Sequence, residues 1–269
     1  MEEKETMKIK RDLNRRDFMA LTTGGAAFGI TLASPFGNFA LAAGQPQKIK
    51  AIAFDAFPIF DPRSAFKVVK EQFPEHGDDL RKAWFKKIFG YTWLRTSGKQ
   101  YKNFWHVMED ALQFSAKSMQ LELTPEKQEN IMNACLRLPV WKDVKPALEA
   151  LKEQNIRLAF LSNMTEDMLR ENLQHNGIEN YFEFVLSTDR AQAFKPAPKA
   201  YQLGVDAFGL QKEEIAFTAF AGWDAVGATW FGYPTVWVNR LGFPLEKLDA
   251  IPHASGRNLK TLTDFVGAN

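Results

Sequence analysis

The amino-acid sequence predicts an α/β protein: a doubly wound parallel sheet broken once by a helical cap. Three observations carry this expectation. Short apolar, β-rich runs recur along the chain, and segments with helical spacing separate them. One long stretch, rich in aromatic residues, interrupts that rhythm after the first run. A chain of 269 residues that is 45% hydrophobic and 25% charged also has the apolar material for a sizeable core. Its formal net charge of +2 gives no basic excess for nucleic acid and no acidic solvating tail.

The first element is an address. Asn14-Arg15-Arg16-Asp17-Phe18-Met19 resembles the twin-arginine export signal, an Arg pair followed two residues later by Phe. Residues 20–42 are moderately apolar but broken by Gly24, Gly25, Pro35 and Asn38, so they make a poor membrane span. Ala40-Leu41-Ala42 supplies a small-x-small cleavage pattern. Residues 1–42 are therefore expected to be a signal peptide, the twin-arginine translocation machinery a partner, and the periplasm the destination. An uncleaved anchor or a tail is the bland alternative.

The mature chain is expected to divide into an α/β core, 43–62 with 141–269, and a helical cap, 63–140. Strands are expected at 49–54, 157–161, 184–187, 214–219 and 235–238. Helices are expected at 144–154, 166–176, 198–209 and 224–231, several with Gly or Asn near their ends. Strand–helix alternation of this kind implies parallel strands covered on both faces, with ligands at the carboxyl ends of the strands. The cap carries Trp84, Phe85, Phe89, Tyr91, Trp93, Phe104 and Trp105, for most of which a place in the cap's own core suffices. Exposed cap aromatics would also permit a homodimer. Cys135 is the sole cysteine, in an apolar run where a buried, inert thiol is expected. The four histidines stand singly, without the pairing that suggests a metal site.

Chemistry-bearing residues fall at the strand ends. Asp55 follows Ala51-Ile52-Ala53-Phe54, Ser162-Asn163 follow Leu161, Lys195 lies beyond Leu186-Ser187, and Asp224 lies beyond the fourth strand. An Asp at one strand end is commonly a turn or a cap. The full set, on successive strands and in this order, is far more specific. Phe54-Asp55, Leu161-Ser162-Asn163, Lys195-Pro196 and Trp223-Asp224 resemble the four motifs of the haloacid dehalogenase superfamily. More narrowly, Tyr91-Thr92-Trp93-Leu94-Arg95, Tyr201 and Phe231-Gly232-Tyr233-Pro234-Thr235 resemble the L-2-haloacid dehalogenases.

That resemblance implies a Rossmann-like core and hydrolytic dehalogenation of short (S)-2-haloacids to 2-hydroxy acids, with no metal or other cofactor. Asp55 would displace halide and form an aspartyl ester, which water then opens. Lys195 would support Asp55, and Asp224 would hold Lys195 and help activate the water. Ser162 and Asn163 would bind the substrate carboxylate or the nearby polar network. Tyr201 would orient these groups or simply be a half-buried aromatic. Phe57 stands two residues after Asp55, where superfamily phosphatases carry a second Asp as general acid. A phosphatase, or a catalytically silent periplasmic binding protein, is the alternative.

The chain also departs from the resemblance. The family's Gly-Thr after the nucleophile is missing, Phe85 stands where a cap Arg should follow Trp84, and Phe220-Ala221 replace a Ser-Asn pair before Trp223. Donors aimed at developing charge are worth about 3–4 kcal/mol each. Phe57, Phe85 and Trp223 are thus expected to line a drier substrate pocket. Arg95 is the candidate replacement cation, or a surface residue of the cap. Asp61 with Arg63 is expected to be an ion pair closing the cap loop rather than part of the pocket.

Overall fold

The computed structural model describes residues 48–269, so the signal-peptide expectation lies outside the described residues. Six strands form one parallel sheet: β1 (Ala51–Phe54), β2 (Arg157–Ser162), β3 (Phe184–Ser187), β4 (Ile215–Ala219), β5 (Thr235–Val238) and β6 (Ala254–Gly256). Their order is β3-β2-β1-β4-β5-β6. β1 lies between β2 and β4, with Phe54 opposite Phe160 and Thr218. The chain winds in one direction from β1 to β2 and β3, then returns past β1 to β4. β1 and β4 therefore flank the topological switch point, where parallel sheets open a crevice at the strand carboxyl ends.

The alternation of side chains along β1 explains the layers. Ala51 and Ala53 join Ala159, Leu161, Phe217 and Tyr201 on one face of the sheet. Ile52 and Phe54 join Phe160, Phe60 and the inserted helices on the other. The four β1 residues are fully buried, as the central strand of a sheet covered on both faces must be.

Between β1 and α5 (Val144–Glu153) lie α1 (Arg63–Gln72), α2 (Gly77–Ser97), α3 (Phe104–Ser118) and α4 (Pro125–Ala134). Asn103 caps α3 by accepting from His106 N, and Thr124 caps α4 ahead of a proline at its start. An antiparallel bridge, Phe60 to Val140, ties the exit of this insertion to its return. Asn172, fully buried on α6 (Glu166–Asn176), accepts from Leu138 N at 2.7 Å and donates to Cys135 O at 2.9 Å. The Cys135 thiol donates to Ile131 O, and burial pushes it up to about 12, an unreactive thiol as expected.

The remaining helices are α7 (Pro198–Phe208), α8 (Gly222–Phe231) and α9 (Lys260–Gly267). Two expectations are corrected here. The fourth core helix begins at Gly222, not at residue 224, so Asp224 lies within its first turn instead of opening it. β6 and α9 complete the sheet edge where the sequence offered no element, the latter through the buried Leu262 and Val266.

Candidate active site

The four chemistry-bearing positions converge at the carboxyl edge of the sheet. Asp55 is the first residue past β1, and its backbone N–H still bonds to Thr218 O on β4. Lys195 is buried beneath it, with Nζ 2.9 Å from Asp55 Oδ1 and 2.6 Å from Asp224 Oδ2. The Phe217 ring lies 5.0 Å from the same ammonium. One cation thus bridges two carboxylates delivered by β1 and by the first turn of α8. The positive end of a helix favours a carboxylate at that point.

Neighbouring groups fix each member. Ser162 Oγ donates to Asp55 Oδ1 at 3.4 Å and accepts from Met164 N at 3.3 Å. Asp55 Oδ2 receives one long contact, from Phe57 N at 3.3 Å, so it is the less engaged oxygen. Asn163 Oδ1 accepts from Lys195 N at 3.0 Å and from Thr188 Oγ1 at 3.3 Å. A backbone N–H can only donate, so this contact fixes the amide with its NH₂ group turned the other way. Tyr201 is fully buried and donates to Asp224 Oδ1 at 2.7 Å, so the half-buried alternative is corrected. Gly227 makes that contact accessible: a Cβ there would stand 2.6 Å from Tyr201 Oη and 2.7 Å from Pro196 Cβ.

Burial pushes the Asp224 carboxyl up to about 6, with Asp55 adding to the rise and Lys195 and Tyr201 opposing it. Burial works against the Lys195 charge, but the two carboxylates outweigh it and hold the ammonium above its ordinary value. Near neutrality the site therefore carries the Lys195 ammonium beside an Asp224 carboxylate that is poised to take up a proton.

A cavity of about 320 Å³ opens over this edge. Of the residues picked out in the sequence, Asp55, Ser162, Asn163 and Asp224 line its polar side, and Phe57, Phe85 and Trp223 its apolar side. Lys195 and Tyr201 lie buried behind the two carboxylates. Arg95 does not line the cavity. It pairs with Asp110 at 3.0 Å and donates to Gln100 O at 3.2 Å, tying α2 to α3. Asp61 and Arg63 pair with each other at 2.6 Å, and the Arg63 guanidinium lies over the Trp141 ring. Trp141 Nε1 in turn donates to Phe57 O and Phe60 O, which braces the loop carrying the nucleophile.

Sequence reasoning missed Arg81. It lines the cavity, lies over the Phe66 ring at 5.0 Å, and makes no ion pair among the described residues. The neighbouring Lys82 is exposed and paired with Asp79. The signal was present, since Arg81 stands four residues before Phe85 on one helix and so shares its face. Among the described residues no group of three or more His, Cys, Asp or Glu could hold a metal ion. Both carboxylates of the site are committed to the Lys195 ammonium, a poor donor set for Mg²⁺.

This fold, with an Asp-Lys-Asp cluster at the switch point beneath an inserted helical segment, defines a class of hydrolase. The chain belongs to the haloacid dehalogenase-like hydrolases, whose family model matches residues 79–238. It is 36% identical over 207 residues to haloacetate dehalogenase H-2 of Moraxella sp. (strain B), covering 77% of this chain and 92% of that protein. It is 35% identical over 218 residues to the (S)-2-haloacid dehalogenase of Pseudomonas sp. (strain YL), covering 81% and 94%. Among solved structures, the L-2-haloacid dehalogenase RSc1362 superposes with a TM-score of 0.80 at 36% identity, over 82% of this chain and all of that one. The Xanthobacter autotrophicus L-2-haloacid dehalogenase with chloropropionic acid covalently bound gives a TM-score of 0.75 at 27% identity, over 81% and 98%.

Proposed function

We propose that the protein hydrolyses the carbon–halogen bond of (S)-2-haloacids through an ester on Asp55. The observation that carries this is the Lys195 ammonium clamped between Asp55 and Asp224 at the floor of the cavity. Lys195 and Ser162 both engage Asp55 Oδ1, which leaves Oδ2 to attack the halogen-bearing carbon. Halide leaves with the bonding pair, the carbon inverts, and an aspartyl ester forms. Water then adds to the ester carbonyl, and the buried Asp224 carboxylate takes its proton. Collapse releases the 2-hydroxy acid and restores Asp55, with halide and one proton as the other products. Lys195 faces the oxygen on which charge develops in the second step.

Halide needs no proton to leave, so the apolar Phe57 is compatible with this chemistry, whereas an alkoxide leaving a phosphomonoester would need an acid there. Arg81, which makes no ion pair among the described residues and lines the cavity, is the guanidinium available to the substrate's negative charge. The test is halide release from L-2-chloropropionate without added metal, with Asp55→Asn as control. The proposal expects release by the wild type and none by the variant, and equal release by both would refute it.

We further propose export to the periplasm by the twin-arginine route. Arg15-Arg16 and Ala40-Leu41-Ala42 support this. Among the described residues no helix is long and apolar enough to cross a membrane. Replacing both arginines by Lys should retain the protein in the cytoplasmic fraction, and unchanged export would refute the route.

A further inference from the structure

We infer that the substrate is a 2-haloacid whose 2-substituent is a bulky apolar group, an arylmethyl group above all, rather than the methyl of a short haloacid. The inference rests on the hydrolytic reading above and names the substrate class of the same site. The positions where the family resemblance leads one to expect polar groups are apolar here, and they face one cavity. Phe85 lines it where a guanidinium was expected, and Phe220 and Ala221 line it where a hydroxyl and an amide were expected.

Aromatic rings can line a void merely because they belong to the core, and burial separates the two cases. Phe54, Phe60, Phe160 and Phe217 are core rings, each with no exposed surface. Phe57, Phe66, Phe85, Phe89, Phe220 and Trp223 are all half-buried, and all line the cavity. Apolar area left uncovered beside a void is area that a ligand can remove from water. The rings also contact one another. Phe66 meets Phe85 edge to face at 4.7 Å, Phe89 meets Trp223 at 5.3 Å, and Phe57 meets Phe220 at 5.7 Å. Edge and tilted contacts of this kind can accept a further ring as one more member.

Size points the same way. About 320 Å³ falls at the lower end of the range, about 300–1,000 Å³, of pockets that hold drug-sized ligands. A methyl-bearing haloacid would leave most of that volume without contact partners, and an unfilled apolar void forfeits its dispersion contacts. The polar ends are nonetheless kept. Asp55, Ser162, Asn163 and Arg81 also line the cavity, so a carboxylate and a reacting carbon still find partners beside the aromatic rings.

The experiment compares halide release from (S)-2-bromo-3-phenylpropanoate and (S)-2-bromopropanoate, and titrates tryptophan fluorescence with the two hydroxy-acid products, 3-phenyllactate and lactate. The inference expects kcat/KM at least tenfold higher for the phenyl substrate and at least tenfold tighter binding of 3-phenyllactate. Phe85→Arg should lower the phenyl-to-methyl ratio of kcat/KM at least tenfold. Equal or better turnover of the propanoate, or a ratio unmoved by Phe85→Arg, would overturn the inference and leave the hydrolytic reading standing. No halide from either acid, with 3-phenyllactate still binding tenfold tighter than lactate, would uphold the aromatic specificity and sink the hydrolytic reading. Equal binding of the two products would overturn the inference whatever the turnover.

Discussion

Replacing Tyr201 by Phe removes one hydrogen bond, the 2.7 Å contact to Asp224 Oδ1, and leaves the ring to fill its buried place. The bond is made to a carboxylate, so it stabilises the ionised form and opposes the burial that pushes Asp224 up to about 6. Hydrogen bonds to charged groups are worth about 1.5–3 kcal/mol. Each tenfold change in proton affinity corresponds to about 1.4 kcal/mol. Losing the bond should therefore move the Asp224 titration upward by about one to two pH units. Only ionised Asp224 can accept the proton of the attacking water, so activity falls as pH drops through this value. The assay is the pH profile of kcat for 2-hydroxy-acid release, which includes the ester-hydrolysis step that Asp224 serves. The wild type should show an acid limb near pH 6, and Tyr201→Phe a limb shifted to higher pH. A limb that stays in place, or moves to lower pH, would refute the role given to this contact.

Asp224 also makes stability depend on pH in a direction opposite to a surface ion pair. Its folded pKa lies above its ordinary value, so its contribution is intact below about pH 4 and lost as pH rises through about 6, up to about 3 kcal/mol in all. Asp224→Asn should accordingly gain stability relative to wild type between pH 4 and pH 7 in denaturant melts; a relative loss would contradict the sign. Arg81→Gln should raise KM about tenfold and change kcat little in steady-state kinetics, because the guanidinium meets the substrate's charge before and during reaction alike. An unchanged KM would remove Arg81 from the binding site. Asn172→Ala leaves Leu138 N–H and Cys135 C=O without partners and should cost about 2–5 kcal/mol of folding stability by urea titration. A loss under 1 kcal/mol would mean that those groups find replacements.

The polar half of the site was legible because a parallel sheet delivers the residues after its strands to one edge, whatever lies between them. Asp55, Ser162, Asn163 and Lys195 needed only strand ends to be recognised. Asp224 was found at the right edge as the opening of the fourth core helix, which starts two residues earlier because Gly222 and Trp223 read as loop and are the opening of α8. Tyr201 could be flagged but its partner could not, because the contact depends on α7 and α8 approaching closely at Gly227. The cation was misjudged for want of helical phase and rise. At about 100° per residue, Arg81 lies about 40° from Phe85 around the helix and Arg95 about 80° in the same direction, but Arg95 is ten residues, about 15 Å, farther along the axis. The structure accordingly turns Arg81 toward the cavity and Arg95 toward Asp110. β6 was illegible because three residues, Ala254–Gly256, carry no usable alternation. The loop before it exposes Leu241, Phe243 and Ile251, and so hides the polar signature of a loop.

The covalent role of Asp55 is tested most directly by a single turnover of a 2-haloacid in ¹⁸O-labelled water, followed by mass measurement of the Asp55 peptide. Attack of solvent on the ester carbonyl places one heavy oxygen in the Asp55 carboxylate and leaves the first-formed hydroxy acid unlabelled. Heavy oxygen in the product with none in the peptide would mean that water displaces halide directly, and Asp55 would lose its place as nucleophile.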